Sequence, residues 1–379
     1  MSDSAQDNIQ WYAQTLRDWF LKHGRKLPWR EAPTPYEVWV SELMLQQTQV
    51  VTVLPYYARW LERFPTVEAL ARADISEVLQ LWAGLGYYRR ARFLHEGAQI
   101  ITQQFGGNFP TDIKELKKIR GIGSYTAGAI ASFAFHQNTA AIDGNVERVM
   151  ARFFGISGDL SRGKTRQALE ATANAVAACG HASDTNQAMM DLGTSACAKI
   201  AHCESCPLSQ RCFALKHGLT ESLPEKKTPP QKSQEFRACL ILTEPDGNCL
   251  IARRRSDLLL GGLWEFPMIT LSKDSPDPEA AVRLPRHHLW DAALSNIPQH
   301  WKYSGHQVSH IFTHIKMTVL IDTAHCESLA PLLKLQTETY DAFDTASLKD
   351  LADTHAISTL MKKLARAATA RQPQPKLPI

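Results

Sequence analysis

The chain has no apolar run long enough to cross a bilayer, which excludes a helical membrane protein. It has no basic-then-apolar leader, which argues against secretion and predicts a cytoplasmic protein, nucleoid-associated in a bacterial cell. Strand signals are nearly missing before residue 214, so a sheet is not expected to frame the first part of the chain. A strong excess of charge is missing too. The net charge is +4 over 379 residues, and bulk charge alone does not point to nucleic acid. Eight cysteines could suggest disulfides, but four of them fall within sixteen residues, at Cys197, Cys203, Cys206 and Cys212, and the other four are scattered. Such clustering in a long cytosolic chain reads as metal ligation.

What is present divides into two parts. At 379 residues the chain is too long for one ordinary domain. Residues 1–222 read as all-α. An amphipathic helix carries Ile9, Tyr12, Leu16, Trp19 and Phe20 at helical spacing. Thr34-Pro35-Tyr36-Glu37 is a capping box that starts a helix through Thr48. Helical patterns follow at Val51–Phe64, Val67–Leu70, Ile75–Gly84, Arg89–Phe105 and Ile113–Ile119, with two more between Gly144 and Gly180. Residues 223–234, rich in Pro and Lys, read as a linker. Residues 235–370 change period. Phe236–Leu242, Cys249–Arg254 and His314–Ile321 read as strands, with an Asp246-Gly247 hairpin turn between the first two. Helices are expected near Ser347–Leu351 and His355–Ala367, and a disordered tail over 371–379.

The stretch from Lys117 to Val149 organises the first part. Gly121-Ile122-Gly123 sits between a lysine-bearing helix and a helix starting near Tyr125. Glycines permit positive φ and close backbone approach, and a helix N-terminus offers free N–H donors, so a phosphate fits there without any base contact. The plain alternative is an interhelical turn, and Lys114, Lys117, Lys118 and Arg120, with Arg89, Arg90 and Arg92, are open to reading as a solvated face. Asp143 ends the stretch and reads either as a helix N-cap or as a presented carboxylate. Glu42 lies among Val38, Trp39, Leu45 and Gln46 on its helix. Partial desolvation there raises a carboxyl's pKa and makes it an acid near neutrality. Its alternative is a partner for a buried arginine. Two carboxylates, one protonated and one ionised, suit cleavage of a glycosidic bond.

The cysteines read C-x5-C-x2-C-x5-C, which favours a 4Fe–4S cluster; zinc, whose modules usually show two C-x-x-C knuckles, stays open. Gln46–Gln49 and Leu85–Arg90 combine amides, aromatics and arginines. Such side chains can wedge into a base stack and hold the flanking phosphates.

Together these stretches resemble the adenine DNA glycosylases of the MutY type, in the helix-hairpin-helix superfamily that includes endonuclease III. The motifs are Ser41–Val50, Gly84–Arg90, the hairpin, Ile142–Val146 and the cysteines. The resemblance implies an all-α helix-hairpin-helix glycosylase domain with a 4Fe–4S loop at 197–212, followed by a smaller α+β domain. It implies that Glu42 protonates the flipped adenine and positions water, and that Asp143 stabilises the sugar cation or bonds to it, with Tyr125 and Asn145 beside them. Gln47 and Tyr87 match the wedge residues, Thr48 and Leu85 positions near the opposing 8-oxoguanine, and Gly121 and Gly123 the phosphate grip. Arg30 and Gln187 match positions lining the adenine pocket.

Enzymes of the superfamily that also cut the strand carry a lysine at the position of Tyr125, which cannot form a Schiff base. The resemblance therefore implies a monofunctional glycosylase, acting as a monomer on double-stranded DNA with adenine opposite 8-oxoguanine or guanine. Gly261–Pro267 and His310–His314 resemble the MutT-like, Nudix-fold domain of the same family, without the downstream acidic pairs that hydrolases use for metal. That domain is expected to read the damaged base, with Thr313 where the family often has serine. The first cysteine spacing is five residues where the family usually has six. Two other readings are an endonuclease III-like lyase for oxidised pyrimidines and a non-catalytic DNA-binding protein; Tyr125 argues against the first, Glu42 and Asp143 against the second.

Overall fold

The structure is a computed structural model that describes residues 3–225, 231–273, 290 and 302–369. The expected tail at 371–379 and residues 226–230 of the expected linker lie outside the described residues. By its contacts the chain forms two units, residues 1–73 with 92–228 and residues 74–91 with 229–379.

Helices run in order as α1 (Asp3–His23), α2 (Pro35–Leu45), α3 (Val50–Arg63), α4 (Val67–Arg72), α5 (Ile75–Trp82), α6 (Arg89–Phe105), α7 (Ile113–Leu116), α8 (Ser124–Phe133), α9 (Gly144–Phe154), α10 (Gly163–Ala177), α11 (Ala182–Thr194) and α12 (Phe213–Lys216). Among the described residues no strand precedes Ser233. In the first unit, α1, α9, α10 and α11 share one core, including Leu16, Met150, Phe153, Leu169, Val176 and Leu192. Each such fully buried side chain contributes roughly 1.5–3 kcal/mol by leaving water.

Two helices are buried on nearly every side. In α2, every residue from Tyr36 to Met44 except Glu37 is buried. In α8 the same holds from Thr126 to Phe133. The small residues of α8 let α2 pack closely against it. The start of α2 is the expected capping box: Glu37 N donates to Thr34 Oγ1 at 3.2 Å, and Thr34 N donates to Glu37 Oε2 at 2.7 Å. Its end comes earlier than the expected Thr48. Gln47 has φ +57°, a left-handed conformation that no helix continues through. The lysine-bearing helix before the hairpin is also shorter than expected, ending at Leu116 because its carbonyls turn into the tight bends leading to Gly121.

Among the described residues the second unit holds a seven-stranded sheet. Its strands are β1 (Ser233–Thr243), β2 (Asn248–Arg254), β3 (Trp264–Glu265), β4 (Met268–Lys273), β5 (Lys302–Ile311), β6 (Ile315–His325) and β7 (Tyr340–Ser347). The parallel pair β1–β6 runs in register from Ser233–Ile315 to Thr243–His325. All three expected strands are present, and the Asp246-Gly247 turn joins β1 to β2 with Gly247 at φ +89°. The helix expected over Ser347–Leu351 is displaced. β7 continues to Ser347, paired with Asn248, and α13 (Leu351–Thr354) starts only afterwards. α14 (Thr359–Thr369) closes one face of the sheet, burying Leu360, Met361 and Leu364. Helix α5 and the loop after it also belong to this unit: Gln80 Nε2 donates to Asp353 O at 2.7 Å and Tyr88 Oη to Ile357 O at 2.9 Å.

The hairpin glycines differ in kind. Gly121 has φ +85°, and a Cβ there would lie 2.7 Å from Phe93 Cβ. Gly123 is extended, at φ −87° and ψ −177°, with nothing within 4 Å of an added Cβ. Gly121→Ala should therefore destabilise the protein by at least about 1–2 kcal/mol. Gly123→Ala should stay within about 0.5 kcal/mol of wild type. Thermal midpoints of the two variants check this; equal midpoints would refute the difference.

Candidate functional site

The packing of α2 on α8 brings two predicted residues together. The Tyr125 hydroxyl, from the first turn of α8, donates a hydrogen bond to Glu42 Oε2. Glu42 is only 6% exposed. Burial pushes its carboxyl up to about 7; the nearby Asp143 charge adds to this, while the Tyr125 bond and the Arg30 charge pull it back. Burial, reinforced by the charges of Glu42 and Asp143, also raises the Tyr125 phenol well above its ordinary range, so it stays a donor. The buried-arginine alternative for Glu42 is not what forms, since Arg30 gives its guanidinium to Asp191.

Asp143 is indeed a helix cap. Its Oδ1 accepts from Asn145 N at 2.9 Å and Val146 N at 2.7 Å, while Oδ2 accepts from Asn145 Nδ2 at 2.8 Å. Burial raises its pKa, and these bonds together with the Arg148 charge counter the rise. The helix N-terminus that Asp143 caps also holds the carboxylate still, and its hydrogen bonds favour the ionised form. Arg148 fixes the second layer. Its Nη2 donates to Asn145 Oδ1 at 2.8 Å and Gly193 O at 2.5 Å, and its Nε to Cys197 O at 2.9 Å. Gly193 has to be small, because a Cβ there would sit 2.6 Å from Asn145 Cβ.

Arg30 and Gln187 line one cavity of about 510 Å³, together with Phe20, Trp29, His136 and His181. The cavity is not lined by Glu42 or Asp143; Arg30 links the two, since it lines the cavity and its charge reaches Glu42. Arg30 Nη1 and Nη2 grip Asp191 at 2.8 and 2.9 Å, and Arg25 Nε binds the same carboxylate at 2.7 Å. Burial alone would raise Asp191, but the two arginines hold it below its usual range. Sequence reading missed Asp191, Arg25 and Arg148. Each is an ordinary charged residue on a helix or loop, and only long-range packing gives it a partner.

The predicted DNA contacts lie in both units. Gln47 and Thr48 form the turn between α2 and α3, with Gln47 exposed. Leu85, Tyr87 and Thr313 belong to the second unit. Leu85 is buried, Tyr87 is 47% exposed, and Thr313 Oγ1 approaches Tyr87 Oη at 3.5 Å. Gln47 and Tyr87 share a feature that sequence does not show: both have positive φ, +57° and +49°. For non-glycine residues this is a strained state of the kind stored at functional sites. Arg90 corrects an expectation. It is buried and donates through Nη2 to Leu85 O at 3.3 Å and Gly86 O at 3.0 Å, so it braces the loop and is not presented to a phosphate. At the hairpin, Lys114 and Lys117 are exposed, Lys118 pairs with Glu115, and Arg120 pairs with Glu96.

Cys197, Cys203, Cys206 and Cys212 line a single small pocket beside Arg152. The short first spacing is closed by His202 N donating to Ala196 O at 2.8 Å. Arg152 Nη1 also donates to Ala198 O at 2.7 Å and Cys197 Sγ at 3.4 Å. Burial, then the charges of the other three cysteines, push Cys206 up to about 12. Mutually repelling, partly buried thiols of this kind fit a cationic metal group that takes them as thiolates. Among the described residues no three His, Cys, Asp or Glu side chains converge tightly enough for a single metal ion.

Residues 40–174 match the family described as HhH-GPD superfamily base excision DNA repair protein, and residues 238–367 match the NUDIX domain. The adenine DNA glycosylase of Rattus norvegicus is 33% identical over 413 residues, covering 94% of this chain and 77% of that protein. The chain belongs to the adenine DNA glycosylase family. The adenine DNA glycosylase of Buchnera aphidicola subsp. Baizongia pistaciae is 41% identical over 269 residues, covering 69% of this chain and 75% of that protein. A thermostable thymine-DNA glycosylase of known structure superposes with a TM-score of 0.53 at 26% identity, covering 57% of this chain and 100% of that one. Members of the family hydrolyse an N-glycosyl bond, and the site has to be understood through that reaction. No helix among the described residues is long and apolar enough to cross a membrane.

The buried Glu42 has a measurable consequence. Below about pH 4.5 its carboxyl is neutral folded or unfolded, so pH imposes no cost. As pH rises toward about 7 the unfolded chain ionises first, and the folded state is disfavoured by up to roughly 3 kcal/mol. Glu42→Gln removes that cost. Its thermal midpoint should exceed that of wild type at pH 8, with the difference shrinking toward pH 5; a pH-independent difference would count against the raised pKa.

Proposed function

We propose that this protein hydrolyses the N-glycosidic bond of adenine paired with 8-oxoguanine or guanine in double-stranded DNA and leaves an abasic site. The observation that carries the reading is Glu42, buried, hydrogen-bonded by Tyr125 and raised to about 7 beside Asp143. A carboxyl with that pKa is half protonated at neutral pH and serves as general acid toward a leaving purine nitrogen. Asp143, held by Asn145 and the start of α9, faces the developing positive charge of the sugar as its ionised partner. Tyr125 keeps the Glu42 carboxyl oriented and offers no amine, so no Schiff base forms and the strand is left uncut. Arg30 and Gln187 take the extruded base in the adjoining cavity, whose volume suits one nucleobase with room for its sugar.

The exposed, left-handed Gln47 and Tyr87 act as wedges where the base leaves the stack, with Thr48 and Leu85 near the opposing base. Gly121 and Gly123 bring the hairpin backbone to a phosphate, and the open face of Gly123 leaves room for it. The second domain, 235–370 by our reading, reads 8-oxoguanine through Thr313. Cys197, Cys203, Cys206 and Cys212 would hold a 4Fe–4S cluster, which when bound cross-links the loop after α11 and supplies a redox centre. The enzyme acts as a monomer in the cytoplasm.

Incubating the protein with duplexes carrying adenine opposite 8-oxoguanine, G, C or T tests this reading. Breaks should appear only after alkali, and only with 8-oxoguanine and G. Breaks without alkali would assign a lyase instead. Asp143→Asn should cut the single-turnover rate by roughly 10²–10³ or more while leaving duplex affinity unchanged. Because Glu42 must be protonated, that rate should be flat below about pH 7 and fall tenfold per unit above it; a rate rising with pH would remove Glu42 as the acid.

A further inference from the structure

Asp191 lies on α11, one turn beyond Gln187, with its side chain only 3% exposed. It does not line the cavity that Gln187 and Arg30 line. Its two oxygens accept five hydrogen bonds, three from Arg25 through N, Nε and Nη2 and two from Arg30 through Nη1 and Nη2. Stability alone does not account for such a cluster, since apolar residues of similar volume commonly serve a core as well as a buried ion pair. What the cluster does is fix Arg30. Arg30 Nη1 also donates to Arg25 O at 3.0 Å, and the guanidinium sits over the Phe20 ring, 5.3 Å from its centroid. A guanidinium carries five N–H donors in one plane. Both hydrogens of Nη1 and one of Nη2 are used within the protein. Among the described residues the other two, on Nε and Nη2, meet no acceptor, and they lie side by side along one edge. Arg30 therefore has a single edge to offer in the cavity.

We propose that Asp191 is a positioning residue for base recognition: it takes the end of the Arg30 guanidinium and so commits the Nε and Nη2 edge to acceptor nitrogens of the base in the cavity. The inference rests on the reading above that the extruded adenine enters this cavity. Asp191 acts through Arg30 and does not touch the base itself. Without the carboxylate, Arg30 turns about its side-chain torsions, and ordering it again when the base arrives weakens the hold on that base. Arg25 serves a different purpose. Its side chain is 40% exposed, and it keeps the buried carboxylate paired from the side of the solvent.

The test uses the full chain and two duplexes, both with 8-oxoguanine in the opposing strand. One carries an uncleavable 2′-fluoro adenine nucleotide; the other carries a tetrahydrofuran abasic analogue, which puts no base in the cavity. Excision of ordinary adenine by wild type is assayed first, and its absence would remove the base-binding reading itself, whatever the variants do. Asp191→Asn should then bind the adenine duplex about tenfold more weakly than wild type and the abasic duplex equally well. In an Arg30→Ala background, where Arg25 still pairs with the carboxylate, Asp191→Asn should cost nothing further. Equal losses on the two duplexes would show a general disturbance of the fold and overturn the proposal. Unchanged affinity for the adenine duplex would overturn it too, as would a tenfold loss that persists in Arg30→Ala. If Asp191→Asn fails to fold, Asp191→Glu keeps the charge, shifts it by one methylene and is held to the same outcomes.

Discussion

The hydrogen bond from Tyr125 to Glu42, made where α2 packs on α8, is the constraint on which the site depends. A carboxyl in the interior is expensive when ionised, and a single neutral donor does not offset that cost. The protein keeps it by surrounding it with apolar and small residues on two helices that are buried on nearly every side. Those helices can be so buried because other parts of the first unit carry its polar surface. The raised pKa of Glu42 is therefore a property of the whole helical packing, and it exists only while α2 and α8 remain in contact.

Around that pair, the charges are arranged so that each one is held by something more rigid than itself. Asp143 is tied to the start of α9, Asn145 to Arg148, and Arg148 to the backbone carbonyls of Gly193 and Cys197. The cysteine loop is thus mechanically continuous with the helix that presents Asp143. Arg30 is held on the other side by Asp191, which Arg25 also grips. Asp191 offsets two positive charges, and this limits how far Arg30 depresses Glu42. An acid poised near neutrality next to an arginine needs such a counter-charge.

Much of this was legible in the order of residues. The all-α first part and the strands after residue 233 follow from periodicity, because each buried face has to repeat at the spacing of its element. The capping box at Thr34 and Glu37 was readable because its four atoms lie within one turn. The end of α2 was not, because the left-handed turn at Gln47 occurs at a residue with no intrinsic preference for it. Arg90 looked like a phosphate contact by its type and place, yet burial turned it inward onto the Leu85–Tyr87 loop. Nothing local separates an arginine that faces a ligand from one that braces a loop.

By itself the sequence determined the inventory: two carboxyls of different surroundings, a tyrosine at the start of the helix after the hairpin, a glycine hairpin and four clustered thiols. These are facts of residue type and short spacing, and they are enough to place the chain in its family. Tertiary structure decided the protonation and the partnerships. Glu42 is pushed to about 7 by burial that α8 completes, and Arg30 is claimed by Asp191 from α11. Desolvation and charge pairing are set by distances through space, and those distances are fixed only when the helices have packed.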